Sequence, residues 1–261
     1  MIDERAIVHP GARIGENVSI GPFAIVEEKV EIGDGCIIEP HAIVRNHTTL
    51  GRDNHVFQFA SVGEKPQYKA LTEGKSELHI GDRNTIRENV TLNRGTPEHG
   101  GVTRIGDDNF IMAYVHIAHD CHVANQTIFA NGASLAGHVK VQDYAILGGF
   151  SLIHQFCTIG AHSITGIGTV CFKDIPPYVM ASGNPAEPYT INVRGLRRRD
   201  FDGDSIALIK RAYKLMYRSN LDVTTAISRI SELAEDNADL QVLTDFLQGC
   251  ERGIIRRKGE S

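Results

Sequence analysis

His119-Asp120 sets an imidazole beside a carboxylate. Gly137 and Gln155 continue from His119 in two equal steps of eighteen, with His138 and His154 each one place off that series. His116 and His122 flank His119, three places away on each side. A neutral imidazole can take the proton from a hydroxyl or amine as it attacks an activated acyl group. A neighbouring carboxylate would fix the imidazole tautomer and stabilise the imidazolium. A glycine amide, unobstructed by a side chain, could face the developing oxyanion. No serine nearby completes a nucleophile–base pattern, so direct attack is expected rather than an acyl-enzyme. A lone histidine in such a place is ordinarily a solvated polar residue; it is the gathering of several that sets apart His119 and, after it, His138. Blander roles stand beside these. Gly137 could only relieve a tight corner, Gln155 could ladder with its neighbours, and Asp120 could bond only to backbone amides.

These residues act together only if a period of eighteen is a period in space, and the rest of the chain supports that. From Ile2 every sixth residue is aliphatic through eleven positions: Ile2, Val8, Ile14, Ile20, Val26, Ile32, Ile38, Val44, Leu50, Val56 and Val62. A small residue or valine usually stands four places on, as at Ala6, Ala12, Val18, Ala24, Cys36 and Ala42. Residues 64–77 are polar, with Pro66 and Gly74, and read as a loop; Ile80, Ile86 and Leu92 resume in the same phase. A second loop near 97–103 shifts the frame by one, after which Ile105, Ile111, Ile117, Val123, Phe129, Leu135, Val141, Leu147, Ile153 and Ile159 follow. The rhythm weakens at Thr165 and Cys171 and stops near Pro176-Pro177.

A period of six suits neither a helix nor a hairpin ladder. It predicts a mainly β fold, a parallel β-helix of hexapeptide repeats over residues 1–190, in which three hexads make one triangular coil; hexapeptide coils are known to wind left-handed, so a left-handed β-helix is expected, although the spacing itself does not set the hand. Coils should stack about 4.8 Å apart, which would bring His119, Gly137 and Gln155 onto one edge. Residues 191–261 should form a helical C-terminal domain capping the prism. Asp202 or Asp204 could start a helix through Ile206, Ile209, Tyr213 and Met216, with two more helices around Ala226–Leu233 and Leu240–Leu247.

Cysteines 36, 121, 157, 171 and 250 show no close pairing, which argues against a disulfide framework or a zinc knuckle. Cys36, Cys121 and Cys157 fall on the small inward position and read as reduced core residues. No apolar run is long enough to span a membrane. The start Met1-Ile2-Asp3-Glu4-Arg5 has neither a basic nor an apolar signal region, so a cytoplasmic location is the default expectation. Residues 1–190 carry 14 Lys and Arg against 21 Asp and Glu, and residues 191–261 carry 13 against 11. This balance excludes bulk-charge nucleic-acid binding and leaves a locally basic C-terminal part that could attract an acidic partner.

The ordered landmarks Gln58-Phe59-Ala60-Ser61, Gly81-Asp82-Arg83-Asn84, Ile86-Arg87-Glu88, Arg94-Gly95-Thr96, Ala118-His119-Asp120-Cys121, Leu135-Ala136-Gly137-His138-Val139, His154-Gln155-Phe156-Cys157 and Gly195-Leu196-Arg197-Arg198-Arg199 span essentially the whole chain. Together they closely resemble the acyl-carrier-protein–UDP-N-acetylglucosamine O-acyltransferases, the first enzymes of lipid A synthesis. The resemblance implies a cytosolic homotrimer with active sites between subunits and no cofactor or metal. It also implies transfer of an (R)-3-hydroxyacyl group from acyl carrier protein to the sugar 3-position of UDP-N-acetylglucosamine. It makes His119 the base, Asp120 its neighbour and Gly137 the oxyanion amide. His116, His138, His154 and Gln155 match substrate-contacting positions; Asn192, Arg198 and Arg199 match positions linked to the nucleotide and the carrier.

Three departures stand out. Gln67-Tyr68-Lys69-Ala70 replaces an Asp-Leu-Lys pattern in the first loop, leaving Lys69 to serve the sugar; Asn93 replaces a sugar-contacting histidine; Arg194 replaces an acidic residue. The first two leave open a 3-amino-sugar acceptor. Ile167 matches the floor of the acyl channel, which is glycine in long-chain members, so a shorter acyl chain is expected; it could instead merely pack between coils. One rival is a zinc carbonic anhydrase on the same scaffold, which needs three convergent histidines. The other is a scaffold without catalysis.

Overall fold

The computed structural model describes residues 1–70, 72–219, 221–234 and 237–257. Short parallel strands dominate it, most of them a single pair of residues, and among the described residues they form three sheets of nine, eight and ten strands. Successive strands go to the three sheets in turn, so each coil contributes one rung to each face. Rungs pair at the interval of one full coil, as in Ile7↔Ile25, Ile25↔Ile43 and Ser134↔Leu152. The fold is the left-handed parallel β-helix expected from the hexads.

Most strands send an aliphatic residue inward. Ile20, Val44, Leu92, Ile117, Leu135 and Leu147 are wholly or almost wholly buried, and with the small residues between them they fill the prism as one core. Cys36, Cys121 and Cys157 are buried in it as free thiols. Thr165 and Cys171, where the aliphatic rhythm weakens, point inward as well. The second residue of most corners takes a left-handed backbone, with φ near +60° even at Phe23, Asp120, His138 and Phe156. Non-glycine residues seldom adopt this conformation; here the coil closure on either side enforces it.

Both loops leave the prism at one edge, between the nine- and eight-stranded faces. Ser61 pairs with Thr91. That step exceeds one uninterrupted coil by two hexads, which is the length of the first loop's insertion. Thr91 pairs with His116, a step that exceeds one coil by one hexad and a single extra position. Two whole hexads keep the phase of the repeat; the extra position in the second loop shifts it by one. The next coil at this same edge carries His119 and Asp120.

Strands Val179–Ser182 and Glu187–Ile191 form an antiparallel pair that extends the ten-stranded face. Helix α1 (Val193–Arg198) follows, then α2 (Gly203–Tyr217), α3 (Val223–Ala234) and α4 (Ala238–Gln248). Asp202 is the residue that caps α2, accepting from the Ser205 amide at 2.6 Å; Asn237 caps α4 through the Leu240 amide. Tyr178 donates to Asp239 O at 2.7 Å, tying α4 to the prism end. After α4 the chain returns along the prism, where Asp174 exchanges backbone bonds with Gly253 and Ile255. No helix among the described residues is long and apolar enough to cross a membrane.

Candidate active site

His119 and Asp120 occupy the corner between the nine- and eight-stranded faces, the edge from which both loops emerge. Gly137 and His138 stand on the next coil, Gln155 and Phe156 on the one after, so positions one coil apart do share an edge. The His119 Nδ1 atom lies 2.8 Å from Asp120 Oδ2. With the Nδ1 proton directed at the carboxylate, Nε2 is left as the basic nitrogen. Asp120 is almost wholly enclosed and bonds beyond backbone amides. Its Oδ1 accepts from the Thr96 amide at 2.9 Å and its Oδ2 from the Thr96 hydroxyl at 2.6 Å. The Asp120 amide in turn donates to Thr103 Oγ1 at 2.8 Å.

The His119 ring lies against Gly137. A Cβ at residue 137 would stand 2.5 Å from His119 Cε1 and 2.9 Å from Nε2, and Gly137 is not in the left-handed backbone region. Glycine is therefore required here by the imidazole and not by the turn. The flanking amides are committed, Ala136 to Ile153 O and His138 to His119 O, each at 3.0 Å. Among the described residues no acceptor takes the Gly137 N–H, which leaves it for a ligand.

Aromatic rings close around this pair. His138 stacks on Phe156 with centroids 4.5 Å apart and meets His119 edge-on at 5.4 Å. His99, from the second loop, meets His138 edge-on at 4.6 Å, and Tyr68, from the first loop, leans on His119 at 5.6 Å. His116 bonds through Nδ1 to Thr91 Oγ1 at 2.7 Å. Burial, with the neighbouring His119 adding to it, holds the His116 pKa below the ordinary imidazole value. Burial lowers that of His138 too, against the pull of Asp120. Both rings thus favour the neutral form. His154 is within 3.5 Å of Arg252 from the returning C-terminal segment. A cavity of about 640 Å³ runs from Asp120, His99 and His138 past Lys140 to Glu251 and Arg252.

The other expected site residues are distributed differently. Lys69 and Gln155 are exposed at the histidine edge. Asn93 is buried there, and its amide nitrogen donates to Lys65 O at 3.1 Å and Glu64 O at 3.4 Å, bracing the first loop. Ile167 sits on the corner between the ten- and nine-stranded faces, 79% exposed. Asn192 is buried at the third corner, where it caps α1 through the Gly195 amide and donates to His162 O. Asn192 thereby ties α1 to the prism at this corner. Arg199 lies over Tyr144 at the same corner, and Arg198 is exposed. A single chain therefore does not unite Ile167, Asn192 or Arg199 with His119.

His119, Asp120 and His138 offer ligand atoms within 4.8 Å of one another. Asp120 Oδ2 already accepts two hydrogen bonds, so an ion there would have to displace a donor. His116, His119 and His122, the trio a carbonic anhydrase would need, do not form such a group among the described residues. Tyr68, Thr96 and His99 were not legible as site residues, because they stand on loops whose lengths break the coil count. Only the shared edge from which both loops depart could have pointed to them.

Residues 174–255 match the family model described as UDP N-acetylglucosamine O-acyltransferase, domain 2. Residues 11–46 and 103–137 match the bacterial transferase hexapeptide model. An acyl-[acyl-carrier-protein]–UDP-N-acetylglucosamine O-acyltransferase from Thiobacillus denitrificans is 53% identical over 98% of this chain and 99% of its own length. One of the same name from Stutzerimonas stutzeri is 48% identical over the same shares. Among solved structures, the UDP-N-acetylglucosamine acyltransferase of Francisella novicida superposes with a TM-score of 0.97 at 37% identity, covering 100% of this chain and 95% of that one. The UDP-N-acetylglucosamine O-acyltransferase of Moraxella catarrhalis gives 0.95 at 39%, covering 98% and 99%.

Proposed function

The chain belongs to the family of acyl-[acyl-carrier-protein]–UDP-N-acetylglucosamine O-acyltransferases, and from that membership we propose its reaction. It transfers an (R)-3-hydroxyacyl group from acyl carrier protein to the 3-hydroxyl of UDP-N-acetylglucosamine, as a step of lipid A synthesis. The observation that carries this reading is the His119 ring, held by Asp120, lying against Gly137 with its uncommitted amide. His119 Nε2 takes the proton of the acceptor hydroxyl as that oxygen bonds to the thioester carbonyl carbon. The carbonyl electron pair moves to oxygen, where the Gly137 N–H meets it. The C–S bond then breaks, and the imidazolium returns its proton to the leaving thiolate.

The residues matched to substrate lie on all three edges of one prism, and a site that uses them together draws on more than one subunit. This favours a homotrimer in which the histidine edge of one subunit faces the ten-stranded face of the next, since that face is bordered by Ile167 on one side and Arg199 on the other. The net positive charge of residues 191–261 suits acyl carrier protein, an acidic partner. Ile167, a side chain where long-chain members have glycine, shortens the acyl channel.

Asn93 favours a second reading, in which the acceptor carries a 3-amine. Its nitrogen is spent on Glu64 O and Lys65 O, so it does not supply the contact a histidine makes there. Incubating the protein with both UDP-sugars and mixed 3-hydroxyacyl carrier thioesters, followed by mass analysis, tests both. An O-acyl product of short or medium chain length is expected. An N-acyl product alone establishes the second reading, and no acyl transfer to either sugar overturns the function.

A further inference from the structure

The second loop does more than interrupt the helix. It leaves the histidine edge one coil before His119 and brings Thr96, wholly buried, under Asp120. The loop is braced in turn, because the Gly101 amide bonds to Thr96 O at 2.9 Å. Thr96 gives Asp120 two donors, one to each oxygen, and its hydroxyl shares Oδ2 with His119 Nδ1. Thr103 receives the Asp120 amide from the other side, which holds the left-handed corner. A hydroxyl 2.6 Å from a carboxylate oxygen withdraws charge from the oxygen that orients the imidazole.

Taking His119 as the base proposed above, we infer that Thr96 is a positioning residue for it. Through Asp120, its hydroxyl sets both the orientation and the basicity of the imidazole. The groups facing Asp120 are few. His138 Nε2 stands 3.7 Å from Oδ2, with His99 behind it and His122 beyond the corner. The buried Cys121 thiol is pushed up to about 12 by burial and stays neutral. None of them donates to Oδ2 within hydrogen-bond distance, so no other side chain among the described residues stands ready to replace the Thr96 hydroxyl.

The direction of the effect follows. Without the hydroxyl, Asp120 carries more charge on Oδ2 and stabilises the imidazolium more. The acidic limb of the kcat/KM profile then moves to higher pH. Less of the ring is then free base at a given pH below the limb, and the ring loses a fixed partner.

Thr96→Val keeps the side-chain shape and the backbone donor to Oδ1 while removing the hydroxyl. It should lower kcat about ten-fold, the scale of one hydrogen bond to a charged group, and leave KM within about two-fold. The acidic limb should shift upward, and Thr96→Ser should restore both rate and limb. Should Thr96→Val not fold, comparing Thr96→Ala with Thr96→Ser reads the same hydroxyl. An unmoved limb, or a serine variant as impaired as the one lacking the hydroxyl, overturns the role. His119→Ala, assayed alongside, separates the two claims: if it keeps its activity, the base itself is wrong, whatever the Thr96 variants do.

Discussion

At the scale of single residues, the site rests on a contact between a ring and a missing Cβ. Gly137 has a backbone conformation that alanine tolerates, yet its added carbon would stand 2.5 Å from His119 Cε1. Gly137→Ala should therefore fold and lose transfer activity by at least about ten-fold, because the ring must swing off the acyl carbon's position. Its cost in thermal stability should vanish in the background of His119→Ala, where no ring remains to strike. Equal costs in the two backgrounds would show that the turn, and not the imidazole, needs glycine. His119, Asp120 and Gly137 were legible in the sequence because a coil of fixed length converts spacing into position. Thr96 and Tyr68 were not, since each reaches the edge from an insertion whose path no periodicity describes. Nor does a motif position reveal that the Asn192 side chain also caps a helix.

At the scale of elements, the period of six foretold the coils up to Cys171, including the effect of the loops on phase. An insertion of two hexads leaves the rhythm untouched, whereas one hexad and a further position displace it by one. The terminal strand pair Val179–Ser182 and Glu187–Ile191 and the short helix α1 were not foreseen, being too brief for a pattern to emerge. They meet the prism at the third corner, where His162 stacks between Tyr144 at 4.7 Å and Tyr178 at 5.6 Å and touches Phe201 edge-on. Its Nδ1 is buried without a partner. Burial, reinforced by the Arg199 charge, lowers the His162 pKa to about 4. The unfolded chain takes up that proton near pH 6.5, so stability held above that pH is lost as the pH falls toward 4. The loss amounts to about 1–2 kcal/mol once solvent screening of this partly exposed ring is allowed for. His162→Phe keeps the stack, at a type of corner that phenylalanine already occupies in Phe23 and Phe150, and should flatten the fall of melting temperature between pH 6.5 and 4. A slope identical to that of the parent would show that some other group governs the acid transition.

At the scale of the whole molecule, the residues matched to substrate stand on separate edges of one prism, and the homotrimer proposed above would bring them together. Ile167 lies on a different corner from His119, so in the homotrimer proposed above it would act on acyl length across a subunit boundary. Ile167→Gly should move the optimum across a ladder of 3-hydroxyacyl carrier thioesters toward longer chains while leaving the melting temperature nearly unchanged, since the side chain is exposed in one subunit. An unchanged optimum would reduce Ile167 to a packing residue. The sequence made the architecture legible because each coil repeats one rule. Which subunit would supply each contact was not legible, since that depends on what stands beside each face. The proposed chemistry turns on the imidazole at the looped edge. Its most direct test is the transfer rate of His119→Ala, measured on protein whose oligomeric state and melting temperature match the parent. A fall in kcat of at least about 100-fold is the predicted result, and a variant that transfers acyl groups at the parental rate would contradict it.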